Sequence, residues 1–405
     1  MIPKPLQTPP KWWSPRLSAF WVRAWRPLRR MSQRRQHCIE EIEVRGVEHL
    51  KAALAGPQGV LICPNHPGSA DPHVMYNVAD EVGTPFYFMA AWQLFGDSNW
   101  LVRCILRHHG VFSVDREGMD LRAFKQAVDV LANRPHPLVV FPEGEVYHIN
   151  DRVTPFREGP AAIALSALKR GDRPVSLVPV AIKYRYLEDP TPRLLKIMDD
   201  LEQAVLWRPK RDVPLAERIY HFAEGPLALK ELEYLGSTQT GPLPRRINAL
   251  TEFLLQRLED RHGGDAAGHS VPERIKESRR RIIRKIEELP GGDPARQLLN
   301  DDLDDAFFAV QLFSYPGDYV SQSPTIERIA ETIDKFAEDV LGLRRASVCA
   351  GRKVTISIDE PIAATNAENR RTAAANLTKQ LEERVQALLD GIPHKPVLRE
   401  FAESP

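Results

Sequence analysis

The chain has 405 residues, of which 43% are hydrophobic and 27% charged, with a net charge of +1. That length exceeds one small core and calls for two domains or one large domain with insertions. The near-neutral charge excludes general nucleic-acid binding, and no apolar stretch approaches the roughly 20 residues of a membrane-spanning helix. Cys38, Cys63, Cys104 and Cys349 are too scattered for a disulfide framework or a zinc site and fit a reducing compartment. The basic N-terminus lacks the apolar core and small-residue end of a signal peptide.

Residues 1–39 form the first region, with nine Lys or Arg and no Asp or Glu. Trp13, Leu17, Phe20, Trp21, Ala24, Trp25 and Leu28 recur at helical spacing, while Arg16, Arg23, Arg26 and Arg30 fall largely on the other side. Indole favours the headgroup level of a bilayer. The pattern predicts an amphipathic helix lying on an anionic membrane surface, at its cytoplasmic face. The alternative is a helix packed on the protein's own body.

Residues 40–190 read as an α/β unit. Strand-like runs at 59–63, 85–89, 111–114, 138–141 and 175–184 alternate with helical patterns at 72–82, 99–108, 119–133 and 160–170. Such interleaving predicts a mostly parallel sheet flanked by helices. Residues 191–350 read as a charged, helix-rich insertion broken near Pro209, 241–244, 263–268 and 290–293. In it, residues 273–289 predict a helix with a solvated charged face, and the acidic cluster 301–305 begins another. No true repeat is evident. A faint echo links Glu224-Gly225-Pro226-Leu227 and Glu360-Pro361-Ile362, each following a strand-like run and preceding a helix. Residues 351–395 return to the core with a strand at 353–358 and a helix at 366–390.

Two polar clusters follow strand-like runs. In Asn65-His66-Pro67-Gly68-Ser69-Ala70-Asp71, His66 and Asp71 are five positions apart, about 500° of rotation on a regular helix. They meet only if His66 lies in a loop and Asp71 starts a helix. Asp71 at the N-cap with Pro72 at the first helical position predicts that geometry. An imidazole there can take and return a proton, with the carboxylate holding its tautomer. Isolated, the same residues are a cap and a loop. Phe141-Pro142-Glu143-Gly144 places a carboxylate and a permissive glycine at another strand end, where Glu143 could accept substrate hydroxyls. Otherwise it is a strand-ending turn. Arg116 ends the run from Gly110 and suits a phosphate or a plain surface charge. His66, His73 and Asp71 match no usual metal-ligand spacing.

Together these segments resemble the glycerolipid acyltransferase family typified by 1-acylglycerol-3-phosphate acyltransferases. Its motifs occur here in order as Asn65–His66 with Asp71, Gly110 with Arg116, Phe141-Pro142-Glu143-Gly144 and Val178-Pro179-Val180. Phe156-Arg157-Glu158-Gly159 is similar to a further family element. The resemblance covers residues 40–190, with 353–390 similar to the family's last strand and helix. It implies acyl transfer from a thioester of coenzyme A or acyl carrier protein to the hydroxyl of lysophosphatidic acid or a related lysolipid. His66 is then the general base and Asp71 its orienter. Asn65, Arg116, Phe141, Pro142, Glu143, Gly144 and Arg157 bind substrate, and no metal or other cofactor is implied. Glu145 and Val146 stand where the family carries Thr or Ser, often followed by Arg. The family's lysine ahead of the second motif is also missing from Ala90-Ala91-Trp92-Gln93-Leu94. The chain thus offers a phosphate less positive charge than a typical member. The competing readings are an inert lipid-binding or scaffolding protein that reuses the fold, and a thioesterase that uses water.

Overall fold

The computed structural model describes residues 10–116, 120–171, 173–264, 269–342, 349–365 and 369–393. They fall into two compact units, an α/β unit up to Asp189 and again from Ala350, and a helical unit from Pro190 to Cys349.

The α/β unit starts with two short helices, α1 (Ala19–Ala24) and α2 (Arg26–His37). Then come β1 (Ile39–Arg45), α3 (Val47–Ala55), β2 (Gly59–Pro64), α4 (Asp71–Val82) and β3 (Tyr87–Ala91). They are followed by α5 (Gln93–Gly96), α6 (Trp100–His108), β4 (Val111–Val114), α7 (Leu121–Asn133), β5 (Leu138–Val139), α8 (Gly159–Arg170) and β6 (Val175–Tyr186). The helical unit contains α9 (Thr191–Leu206), α10 (Leu215–Leu235), α11 (Leu243–His262), α12 (Val271–Glu288), α13 (Ala295–Phe313), α14 (Tyr319–Gln322) and α15 (Ile326–Leu341). The chain closes with β7 (Arg352–Ile358), β8 (Ile362–Ala363) and α16 (Arg370–Asp390).

Among the described residues the strands form one eight-stranded sheet in the order β1-β7-β6-β2-β5-β3-β4, with β8 also on β6. Strands β6, β2, β5, β3 and β4 are mutually parallel, while β7 and β8 run antiparallel to β6. The mostly parallel sheet expected from the alternating pattern is therefore present. Every residue of β2 is buried, as helices on both faces of a parallel sheet require. Gly59 begins that strand because Leu131 O of α7 occupies the place where a Cβ would stand.

The N-terminal segment is not the single helix of the periodicity. Residues 10–18 are non-helical. Trp13 exchanges hydrogen bonds with Ser113 of β4 and stacks on Phe95 at 5.3 Å. The segment thereby covers the free edge of the sheet. In α2, buried Arg29 pairs with Asp80 at 3.5 Å and lies 4.9 Å from the Tyr76 ring. Phe20 and Trp21 remain 71% and 45% exposed. The segment is half packed and half open.

In the helical unit the structure overturns four readings. Residues 224–227 lie inside α10, with Pro226 in its interior, so they are no strand–helix echo. The acidic cluster lies mid-helix in α13. And a repeat does exist. Helices α10, α11 and α12 begin at Leu215, Leu243 and Val271, a spacing of 28 residues, and carry Arg218, Arg246 and Arg274 in register. Each arginine forks onto a glutamate of the preceding helix. Arg218 Nε and Nη2 donate to Glu202 at 3.1 and 2.7 Å, Arg246 to Glu231 at 2.9 and 2.8 Å, and Arg274 to Glu259 at 2.8 and 2.9 Å. Arg274 and Arg279 are buried, so α12 is not a merely solvated charged helix. A bidentate guanidinium–carboxylate pair has a fixed planar geometry, which makes it a register device between successive helices.

Removing one partner leaves a buried charge uncompensated. Glu231→Ala is expected to cost about 3–5 kcal/mol, whereas Glu231→Met with Arg246→Met should cost far less. Urea unfolding of both variants checks this. Equal losses would mean the pair does not hold the helices in register.

Candidate active site

Strand β2 ends at Pro64, paired with Val180 of β6, but β6 continues to Tyr186. From there two side-chain amides replace the missing strand. Asn65 receives Ile182 N–H at 2.7 Å and donates to Ile182 O at 3.0 Å. Asn150 does the same with Tyr184 at 2.7 and 2.8 Å. Asn65 is 1% exposed and its amide is fully engaged. Its observed contacts are structural: it ends the strand and turns the chain into the loop.

His66 is the next residue. Its Nδ1 lies 2.7 Å from Asp71 Oδ2, and its side chain is 16% exposed. Asp71 is fully buried. It is the first residue of α4, with Ala70 at the N-cap. The helix thus starts one residue earlier than the Asp71 cap and Pro72 start suggest. The carboxylate serves the loop rather than the helix: Gly68 N–H donates to Oδ2 at 2.9 Å and Tyr184 O–H to Oδ1 at 2.6 Å. Burial raises the Tyr184 phenol well above its usual range, so it stays a donor. With Nδ1–H on Asp71, the basic lone pair of the imidazole is on Nε2.

The second cluster lies beneath the first. Phe141 stacks on the His66 ring, centroids 4.1 Å apart. Pro142 is buried, and its carbonyl receives Arg157 N–H at 3.0 Å. Glu143 is 3% exposed. Its Oε1 accepts the His66 backbone N–H at 2.7 Å, and its Oε2 accepts from the Thr154 hydroxyl and backbone N–H. Glu143 was expected to receive substrate hydroxyls. Instead it ties the His66 loop to the 141–154 loop, because both oxygens already have partners inside. Burial pushes its carboxyl up to about 7, against the opposing hydrogen bonds from Thr154 and His66.

Gly144 has φ +78, a region that favours glycine, and a Cβ there would lie 2.6 Å from Arg157 Nε. Its carbonyl accepts Arg116 Nη1 at 2.8 Å. Arg116 Nε is buried with no hydrogen-bond partner among the described residues. Arg157 Nη2 lies 3.8 Å from buried Glu145. Arg116 and Arg157 therefore flank Gly144, and Glu145 offsets one of them. Among the described residues no group of three His, Cys, Asp or Glu is placed to hold a metal ion; His73 lies instead beside the His37 ring at 5.2 Å.

Tyr184, Thr154 and Asn150 were missed from the sequence. Tyr184 closes a strand-like run and reads as core, and Thr154 and Asn150 lie in an irregular stretch without periodicity. Only the pairing of distant segments gives them a role.

Two outcomes follow from this arrangement. Tyr184→Phe removes one hydrogen bond to a charged acceptor and should reduce turnover by about tenfold without unfolding the protein. A rate equal to wild type would remove Tyr184 from the site. For Glu143 the sign is that of a raised carboxyl. The folded protein holds the proton up to about 7, while the unfolded chain releases it near 4.5. Stability therefore falls as pH rises between those values. Glu143→Gln should flatten that slope in thermal melts recorded across the same window.

Residues 41–183 match the model of the Acyltransferase family. No curated protein matches the chain. The matched span runs from β1 to β6 and contains the His66–Asp71 pair, Arg116, Glu143 and Arg157. Over residues 41–183, the α/β unit is thus similar to the acyltransferase family.

Proposed function

We propose that the protein is a peripheral membrane O-acyltransferase, at the cytoplasmic face, that moves a fatty acyl group from acyl-coenzyme A or acyl carrier protein to the hydroxyl of lysophosphatidic acid or a related lysolipid. The observation that carries this reading is the 2.7 Å contact of His66 Nδ1 with a buried Asp71 that also accepts Gly68 N–H and Tyr184 O–H. A carboxylate held by three donors keeps the imidazole in one tautomer and stabilises the imidazolium.

In this mechanism Nε2 takes the proton of the acceptor hydroxyl as its oxygen attacks the thioester carbonyl. The carbon–sulfur bond then breaks, and the imidazolium returns the proton to the leaving thiolate. An ester and a free thiol result, and no nucleophile of the protein is consumed. Stacking on Phe141 and the Glu143 contact to the backbone N–H fix where Nε2 points.

Arg116 carries the phosphate assignment. Its buried Nε lacks a hydrogen-bond partner among the described residues, a state that a bound anion would relieve. Glu145 has its described ion-pair contact with Arg157. Residues 10–39 carry the membrane assignment, being rich in arginine and tryptophan and free of acids. No described helix is long and apolar enough to cross a bilayer.

His66→Ala should reduce acyl transfer at least about a hundredfold, the low end of general-base catalysis. Mass spectrometry of the lipid products, from acyl-coenzyme A and a panel of lysolipids, is the measurement. Undiminished transfer by the variant overturns the mechanism. Thioester cleavage with no acylated lipid would indicate hydrolysis instead.

A further inference from the structure

The first turn of helix α6 presents apolar groups to solvent. None of the helix's nine residues is buried. Its arginines face the body: Arg103 donates to Phe95 O at 2.8 Å and lies 5.9 Å from the Trp13 ring, and Arg107 donates to Ser14 O at 2.8 Å. Leu106 packs on the core, but the apolar side chains of its first turn face outward, with Trp100 75%, Leu101 49% and Val102 37% exposed, and Leu94 of α5 is 47% exposed. A surface helix ordinarily does the reverse.

The exposed stripe is continuous with α1. Trp100, Cys104 and His108 follow one another at four-residue spacing along one side of α6. The His108 ring meets Trp21 edge-on at 6.4 Å, and Trp21 meets Phe20 at 5.6 Å. Next along the chain, Arg23, Arg30, Arg34 and Arg35 are exposed. Arg26, Arg30, Met31, Arg34 and Arg35 line an open hollow of about 570 Å³.

We infer that α6 is a second membrane-contacting element, seating Trp100 and Leu101 at the headgroup–acyl boundary of an anionic bilayer while the arginines of α2 hold the headgroups. This rests on the membrane reading of residues 10–39 and adds to it a helix from inside the acyltransferase span. A lipid surface matches both halves of the feature: aromatic and aliphatic groups at interfacial depth, and beside them the exposed cations Arg23, Arg30, Arg34 and Arg35, whereas Arg26 is paired with Asp80 at 2.9 Å. The placement also has a use. Only His109 and Gly110 separate α6 from β4, whose far end leads to Arg116. The lipid contact and the proposed anchor for the acceptor head are thus consecutive in the chain.

The test uses the full chain with Cys38→Ser, so that exposed Cys104 takes an environment-sensitive fluorophore while Cys63 and Cys349 stay buried. Vesicles of phosphatidylglycerol with phosphatidylcholine are compared with phosphatidylcholine alone. The expected result is a blue shift of the label and co-sedimentation on the anionic vesicles only. Trp100→Ser with Leu101→Ser should weaken binding at least about tenfold, with circular dichroism and melting unchanged. Binding by the parent protein with an unshifted label and an unaffected double variant overturns the role of α6 alone. Absence of any binding by the parent overturns the membrane reading as well. A double variant that turns a dimer into a monomer and still binds vesicles would show that a second copy covers the stripe, which also overturns the inference.

Discussion

The end of β2 governs the rest of the site. Beyond Pro64 the long strand β6 has no parallel neighbour on that side, yet its backbone stays buried to Tyr184. A buried N–H or C=O left without a partner is costly, so something must supply two more rungs. The amides of Asn65 and Asn150 do so, each acting as a peptide group carried on a side chain. Because Asn65 is held to the sheet, His66 leaves the strand at one defined point. Its ring then falls between Asp71 at the start of α4 and Phe141 after β5. Tyr184 completes the arrangement from the strand that the two asparagines hold.

Charge is handled differently in the two units. In the helical unit Arg218, Arg246 and Arg274 each meet a glutamate in bidentate geometry, and the charges fix the register of successive helices. In the α/β unit Glu143 has no arginine or lysine ion pair among the described residues. It is held by a hydroxyl and two backbone N–H groups, and burial keeps its carboxyl near neutrality. A carboxyl held this way ties two loops together. Glu145, the departure from the family pattern, is set against Arg157, while Arg116 donates to the Gly144 carbonyl.

The N-terminal segment and α6 share a second principle. Trp13 and Arg29 pack inward and cover the sheet edge and α4, while Phe20 and Trp21 stay open beside the apolar side of α6. One stretch of chain therefore closes the fold on one side and presents aromatic surface on the other. Its sequence periodicity averages over both uses, which is why it suggests one uniform helix where the chain has an extended piece and two short helices.

What the sequence determined alone is local. Apolar runs bounded by turn residues gave β2, β4 and β6 nearly to the residue, since burial on both faces of a parallel sheet demands them. The ordered motifs marked His66, Asp71, Arg116 and Glu143, because each follows a strand end. Tertiary structure alone decided what those groups touch. Glu143 and Asn65 read as substrate contacts until their oxygens are seen to be occupied by backbone N–H groups from other segments. Tyr184 reads as core until its hydroxyl is seen on Asp71. The 28-residue repeat escaped notice for the same reason: its mark is a glutamate in one helix paired with an arginine in the next, and such a pair has no period within either helix. Hydrophobic periodicity records which face of an element is covered; it does not record which distant polar atom completes a hydrogen bond there.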